Sequence, residues 1–86
     1  MLTIYKYPLE IATIQPLQVP RDAKILSVQF QNDVLCLWAL VDPKKELTIR
    51  YFLIFGTGRL IENMPKTVFL ATVQHAGYVW HVFEKL

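Results

Sequence analysis

Covalent, acid–base or metal chemistry in this 86-residue chain would have to start from one cysteine (Cys36), one serine (Ser27) and two histidines (His75 and His81). Cys36 lies in the apolar run Val34-Leu35-Cys36-Leu37-Trp38, surroundings that suit a packed, inert thiol. Ser27 has no histidine or carboxylate at a spacing diagnostic of an activated nucleophile. His75 and His81 fall within one expected hairpin, yet no cysteine or carboxylate cluster with zinc-ligand spacing accompanies them. A hydrogen-bonded structural histidine is the better reading of each. No catalytic residue, metal ligand or cofactor is therefore expected, and the chain reads as a non-enzyme.

Binding chemistry is better represented. Gly56-Thr57-Gly58 followed by Arg59 is the segment most like a phosphate cradle. A true phosphate loop is longer and ends in Lys-Ser or Lys-Thr, and a dinucleotide fingerprint has three spaced glycines, so a turn leaving a strand explains it better. Aromatic residues interleave with basic ones at Tyr5-Lys6-Tyr7, at Arg50-Tyr51-Phe52 and at Trp80-His81. On nucleotide-binding β surfaces such rings stack a base while lysine or arginine meets phosphate. Lys6, Tyr7, Arg50, Arg59, Trp80 and His81 are thus the candidate ligand- or partner-binding residues. Trp38 and Phe30 are expected in the core, because large aromatics dominate the burial of small domains.

Strands must position these side chains. Segments rich in Val, Ile, Thr and aromatics recur between Pro, Gly, Asn and Asp, the pattern of an all-β domain. The expected strands are Thr3 to Tyr7, stopped by Pro8; Glu10 to Gln15, stopped by Pro16; Lys24 to Gln31; Val34 to Asp42; Glu46 to Phe55; Thr67 to Gln74; and Tyr78 to Glu84. Val19 to Ala23 reads as a turn or loop. In the third strand Leu26, Val28 and Phe30 alternate with Ser27, Gln29 and Gln31, which predicts one wet face. Asn32-Asp33 tolerate the positive φ of a type I′ hairpin. Val34 to Val41, apolar on both faces, reads as a central strand. With Asp42-Pro43-Lys44-Lys45 as a turn, strands three to five form an expected meander. The irregular stretch Arg59 to Lys66 has room for one short helical turn, and Gly77 supplies the turn of a second hairpin.

Composition bounds the rest. The chain is 53% hydrophobic with 13% aromatic and 19% charged residues, which excludes disorder driven by charge. Its length suits one domain, 1–86, folded as a small antiparallel meander, curled sheet or partly open barrel of about six or seven strands. A lone cysteine fits a reducing cytoplasm. The start Met1-Leu2-Thr3-Ile4-Tyr5-Lys6 lacks the features of a signal peptide, and no apolar run approaches the ~20 residues of a membrane-crossing helix. A net charge of +2 with scattered Lys and Arg lacks the clustered footprint of a nucleic-acid binder. Surplus apolar residues predict a homo-oligomer, most simply a dimer, that covers the second face of Val34 to Val41.

Five blocks carry a resemblance: Tyr5-Lys6-Tyr7-Pro8-Leu9, Ala23-Lys24-Ile25-Leu26-Ser27-Val28-Gln29, Cys36-Leu37-Trp38-Ala39-Leu40-Val41-Asp42-Pro43, Gly56-Thr57-Gly58 and Val79-Trp80-His81-Val82-Phe83-Glu84. In this order, nearly end to end, they resemble a family of small uncharacterised proteins of tailed bacteriophages and prophages. The resemblance implies an origin and no assigned activity. It points to counter-defence, as an inhibitor docking on a host immune protein such as a CRISPR effector. The alternative is an oligomeric sponge that sequesters a nucleotide immune signal, with Arg50, Lys6 or Arg59 on its phosphates.

Overall fold

A computed structural model describes residues 1–86 and shows an all-β, antiparallel fold of seven strands without a helix. The strands are β1 (Thr3–Leu9), β2 (Ile14–Pro20), β3 (Lys24–Gln31), β4 (Val34–Val41), β5 (Leu47–Gly56), β6 (Thr67–His75) and β7 (Tyr78–Lys85). They form a three-stranded sheet of order β1-β4-β3 and a four-stranded sheet of order β2-β5-β7-β6. The two stack as a slab of 41 × 31 × 15 Å, and approach most closely where their edge strands β3 and β6 meet. No helix is long and apolar enough to cross a membrane.

Both expected hairpins form, for the expected reason. Asn32 and Asp33 take φ of 50° and 66°, joining β3 to β4, and Ala76 and Gly77 take 51° and 83°, joining β6 to β7. Positive φ at both central residues matches the right-handed twist of the flanking strands.

The meander expected across β3, β4 and β5 does not form. β4 pairs with β1 and β3, whereas β5 pairs with β2 and β7 in the other sheet. A sandwich buries the inward faces of β4 and β5 against each other's sheet, which a single flat meander of so apolar a chain cannot do. The prolines were also misleading as strand ends. β1 runs through Pro8 to Leu9, and β2 is not Glu10 to Gln15 but Ile14–Pro20, with Pro16 inside it and Pro20 ending it. Both are edge strands, where a residue without an N–H can sit with that side turned away from the ladder. The expected turn accordingly shrinks to Arg21 and Asp22, with Ala23 N donating to Pro20 O.

A third correction concerns Leu26. The β3–β4 register shifts between Ile25 and Ser27, so Leu26 is the extra residue of a bulge. Below the bulge the chain changes face, Ile25 packs on the core with Val28 and Phe30, and Leu26 is left 46% exposed.

Between the sheets lie Leu9, Val19, Ala23, Val28, Leu35, Leu37, Ala39, Val41, Phe52, Ile54, Val73 and Val82. Pro20 at the end of β2 is also buried, and three more buried residues outside this cluster are Cys36, Leu53 and Phe55. These three are set apart by their faces. They lie on the outer faces of the slab, in register with the outward positions of their sheets. Cys36 is covered because Lys6 Nζ reaches from β1 across β4 to Gln31 Oε1 on β3, at 2.8 Å. The thiol should accordingly resist a thiol-reactive dye in the native protein and react fully after denaturation, a difference read by absorbance; fast native labelling would show that this cover does not hold.

Candidate functional site

The six candidate residues lie in three separate places. Arg50, Trp80 and Tyr7 point between the sheets, Lys6 lies on the outer face of the three-stranded sheet, and Arg59 and His81 come together on the outer face of the four-stranded sheet.

Arg50 is committed to the fold. From β5 its Nε and Nη2 donate to the two carboxylate oxygens of Glu84 on β7, the latter at 2.7 Å, and its Nη1 donates to Ala23 O at 2.6 Å. The side chains are 25% and 16% exposed. Hydrogen bonding to Glu84 raises the guanidinium pKa above its ordinary value, against the lowering effect of burial. A raised pKa contributes its stability in full below the unfolded value, so the Arg50 side of the pair is constant through neutral pH. The bidentate fork clamps β5, β7 and the turn after β2 together, using three of the five guanidinium N–H groups within the fold.

Trp80 packs against the core and stacks on Tyr78 with ring centroids 5.9 Å apart. Its cross-strand partner is Gly56, where an added Cβ would come 3.3 Å from the indole Cζ3. Gly56 is thus a space-making residue for the tryptophan. Tyr7 also packs on the core, beside Tyr5, and burial followed by the Tyr5 phenol raises its pKa from 10.0.

His75 and His81 occupy opposite faces of the four-stranded sheet. His75 stacks on Phe30 at 4.5 Å and places Nε2 3.1 Å from Asp33 Oδ1, joining the tips of the two hairpins. His81 pairs across β5 with Phe55 and across β6 with Thr72. Its Nε2 lies 2.7 Å from Thr57 Oγ1 and its Nδ1 3.0 Å from Thr72 Oγ1. In the neutral ring one hydroxyl donates to the bare nitrogen and the other accepts from the N–H. Hydroxyl, imidazole and orienting group stand in a chain, but the third member is a threonine rather than a carboxylate, so an imidazolium would have no counter-charge of the kind a Ser-His-Asp triad supplies. The Gly56-Thr57-Gly58 turn places this hydroxyl, with Thr57 N donating to Val79 O and Gly58 at φ 88°. Beside it, the Arg59 guanidinium lies over the Phe55 ring, 5.5 Å from its centroid.

The same face carries a feature that strand-by-strand reading did not identify. Ile14, Leu53, Phe83 and Phe69 are opposite one another in register, so an apolar row crosses all four strands. Phe83 meets Phe55 and Phe69 edge to face, at 6.1 and 5.5 Å. The segment Arg59 to Pro65 folds over Leu53 and Phe55, and with Thr13 and Ile14 it encloses a cleft of about 240 Å³. Leu53 and Phe55 are buried there, while Phe69 at 55% and Leu60 at 91% remain exposed. The signal was present in the alternation of β5, whose outward residues are as apolar as its inward ones.

A family model described as Domain of unknown function (DUF7352) matches residues 1–86. Among curated proteins and among solved structures, none matches the chain.

Proposed function

We propose that this chain, which belongs to the DUF7352 family, is a non-enzymatic protein-binding module that inhibits a host immune protein during phage infection. The observation that carries the binding reading is the apolar row Ile14–Leu53–Phe83–Phe69 with its cleft. The ends of the row, Ile14 and Phe69, are exposed together with Leu60 and Ile61 of the covering segment, and large apolar side chains grouped on one face of a small domain mark an interaction surface. A cleft beside exposed Leu60 and Phe69 suits the aromatic or aliphatic anchors that dominate binding energy. The host-immune assignment is supported by the resemblance to phage and prophage proteins.

Native mass spectrometry of the protein purified from phage-infected bacteria tests the reading. A stoichiometric host protein is expected, and its capture should fall at least about tenfold for Phe69→Asp, since a hot-spot side chain is worth about 2 kcal/mol or more. Unchanged capture by a folded Phe69→Asp variant would reject this face.

A second reading has one observation in its favour. Arg59, Phe55, His81 and two threonine hydroxyls gather at one end of the same face, a set able to hold the phosphate and sugar of a nucleotide signal. A small-molecule adduct in the same spectra, lost with Arg59→Ala, would favour this sponge role over the inhibitor.

A further inference from the structure

The outer face of the three-stranded sheet belongs to neither reading, and its charge is one-sided. Across Thr3–Leu9, Lys24–Gln31 and Val34–Val41 there is no Asp or Glu, and the only charged side chains are Lys6 and Lys24. Neither lysine has a carboxylate partner, and the one side-chain bond made by either is from Lys6 Nζ to the neutral Gln31 Oε1 at 2.8 Å. Register places Lys6 directly opposite Trp38 and Lys24 opposite Leu40, so the two lysines spring from the strands on either side of the middle one, and the Lys6 ammonium reaches across it to Gln31. Around them Ile4 is 55%, Leu26 46% and Val34 44% exposed.

We propose that this face docks an acidic protein surface with an apolar centre. The inference rests on the protein-binding reading above, and gives it a second face and a partner charge. Val34, Trp38 and Leu40 along the middle strand have the composition of an interface core, and Lys6, Lys24, Ser27, Gln29 and Gln31 on the flanking strands that of a polar, cationic rim which selects an opposite charge. A second copy of this chain fits less well, because pairing the face with itself would gather four lysines and bring no carboxylate from these strands to meet them. Single-stranded nucleic acid also fits less well, since its binders need a basic track and several stacking rings, and here there are two lysines and one half-buried indole. The Leu26 bulge matters, for it turns outward a leucine that regular alternation would bury.

The test is amide chemical-shift mapping on the isotope-labelled chain with three probes. These are a peptide of about ten residues alternating Glu and Leu, matching the two-residue strand repeat, the same peptide with Lys for Glu, and an oligothymidylate of about 20 nucleotides. The Glu–Leu peptide is expected to perturb β1, β3 and β4, with binding at least about tenfold weaker for Lys6→Glu/Lys24→Glu and weaker at high salt. Should that double variant not fold, Lys24→Gln is expected to show the same direction. Shifts confined to Leu60, Ile61 and Phe69 would overturn this inference and leave the four-stranded face standing. Equal binding of the Lys–Leu peptide, stronger perturbation of this face by oligothymidylate, or no shifts on β1, β3 and β4 would also overturn it. Conversely, unchanged capture by Phe69→Asp with shifts mapped here would reject only the four-stranded face.

Discussion

Arg50→Ala is expected to lower the stability of the domain by about 2–4 kcal/mol, seen as an earlier denaturant midpoint with little change in the slope. The substitution removes both bonds to Glu84 and the bond to Ala23 O together. What remains is a carboxylate only 16% exposed without its cation. Removing one member of a buried ion pair costs about 3–5 kcal/mol, and the partial exposure here reduces that. A double-mutant cycle with Glu84→Gln isolates the pair. The two changes together should cost less than their sum, by about 1–3 kcal/mol, because each alone already breaks the fork. Additive effects would mean that the residues do not couple. The experiment also decides a functional matter: if Arg50 held a ligand, Arg50→Ala would abolish binding in a protein of unchanged stability.

Phe52→Ala is expected to cost about 3–5 kcal/mol, the usual effect of emptying a buried aromatic site. Phe52 is 1% exposed and sits on the inner face of β5, a middle strand of the larger sheet. A domain of this size has a net stability of roughly 3–5 kcal/mol, so the variant should be largely unfolded at room temperature. Its circular dichroism would lose the β signal and its Cys36 would label at the rate of a free thiol. Leu26→Ala, outside the core because of the bulge, should cost under about 1 kcal/mol by comparison. Regular alternation along β3 would predict a core-sized loss for Leu26, so the pair of measurements separates the two arrangements directly.

These contrasts bear on where partners bind. The slab has one face that is apolar with a cleft and another that mixes apolar and neutral polar side chains with lysines as its only charges, and its polar interior groups are used up: no buried side-chain nitrogen or oxygen lacks a hydrogen bond. Residues that looked like ligand binders by type, Arg50 and Trp80, hold the sheets together. Residues passed over as ordinary strand positions, Phe69, Leu53 and Phe83, build an apolar row across the outer face of the four-stranded sheet, covered at Leu53 and open at Phe69.

Local chemistry alone determined that this chain is all-β, where its two hairpins turn, and that β4 is a middle strand. Alternation, positive-φ residues at Asn32-Asp33 and Gly77, and a run apolar on both faces act within a few residues of one another, so they can be read along the chain. Only the tertiary structure decided that β4 and β5 part into different sheets, that β2 carries Pro16 inside it, and that Leu26 faces out. Each of these depends on what lies alongside: a proline is tolerated because no neighbour strand needs its N–H, and a bulge exists only relative to the strand it mispairs with. The candidate site divides the same way. Residue types singled out Arg59 and His81, but their meeting at Phe55 and Thr57, and the diversion of Arg50 to Glu84 some 34 residues away, required the register of β5 against β7.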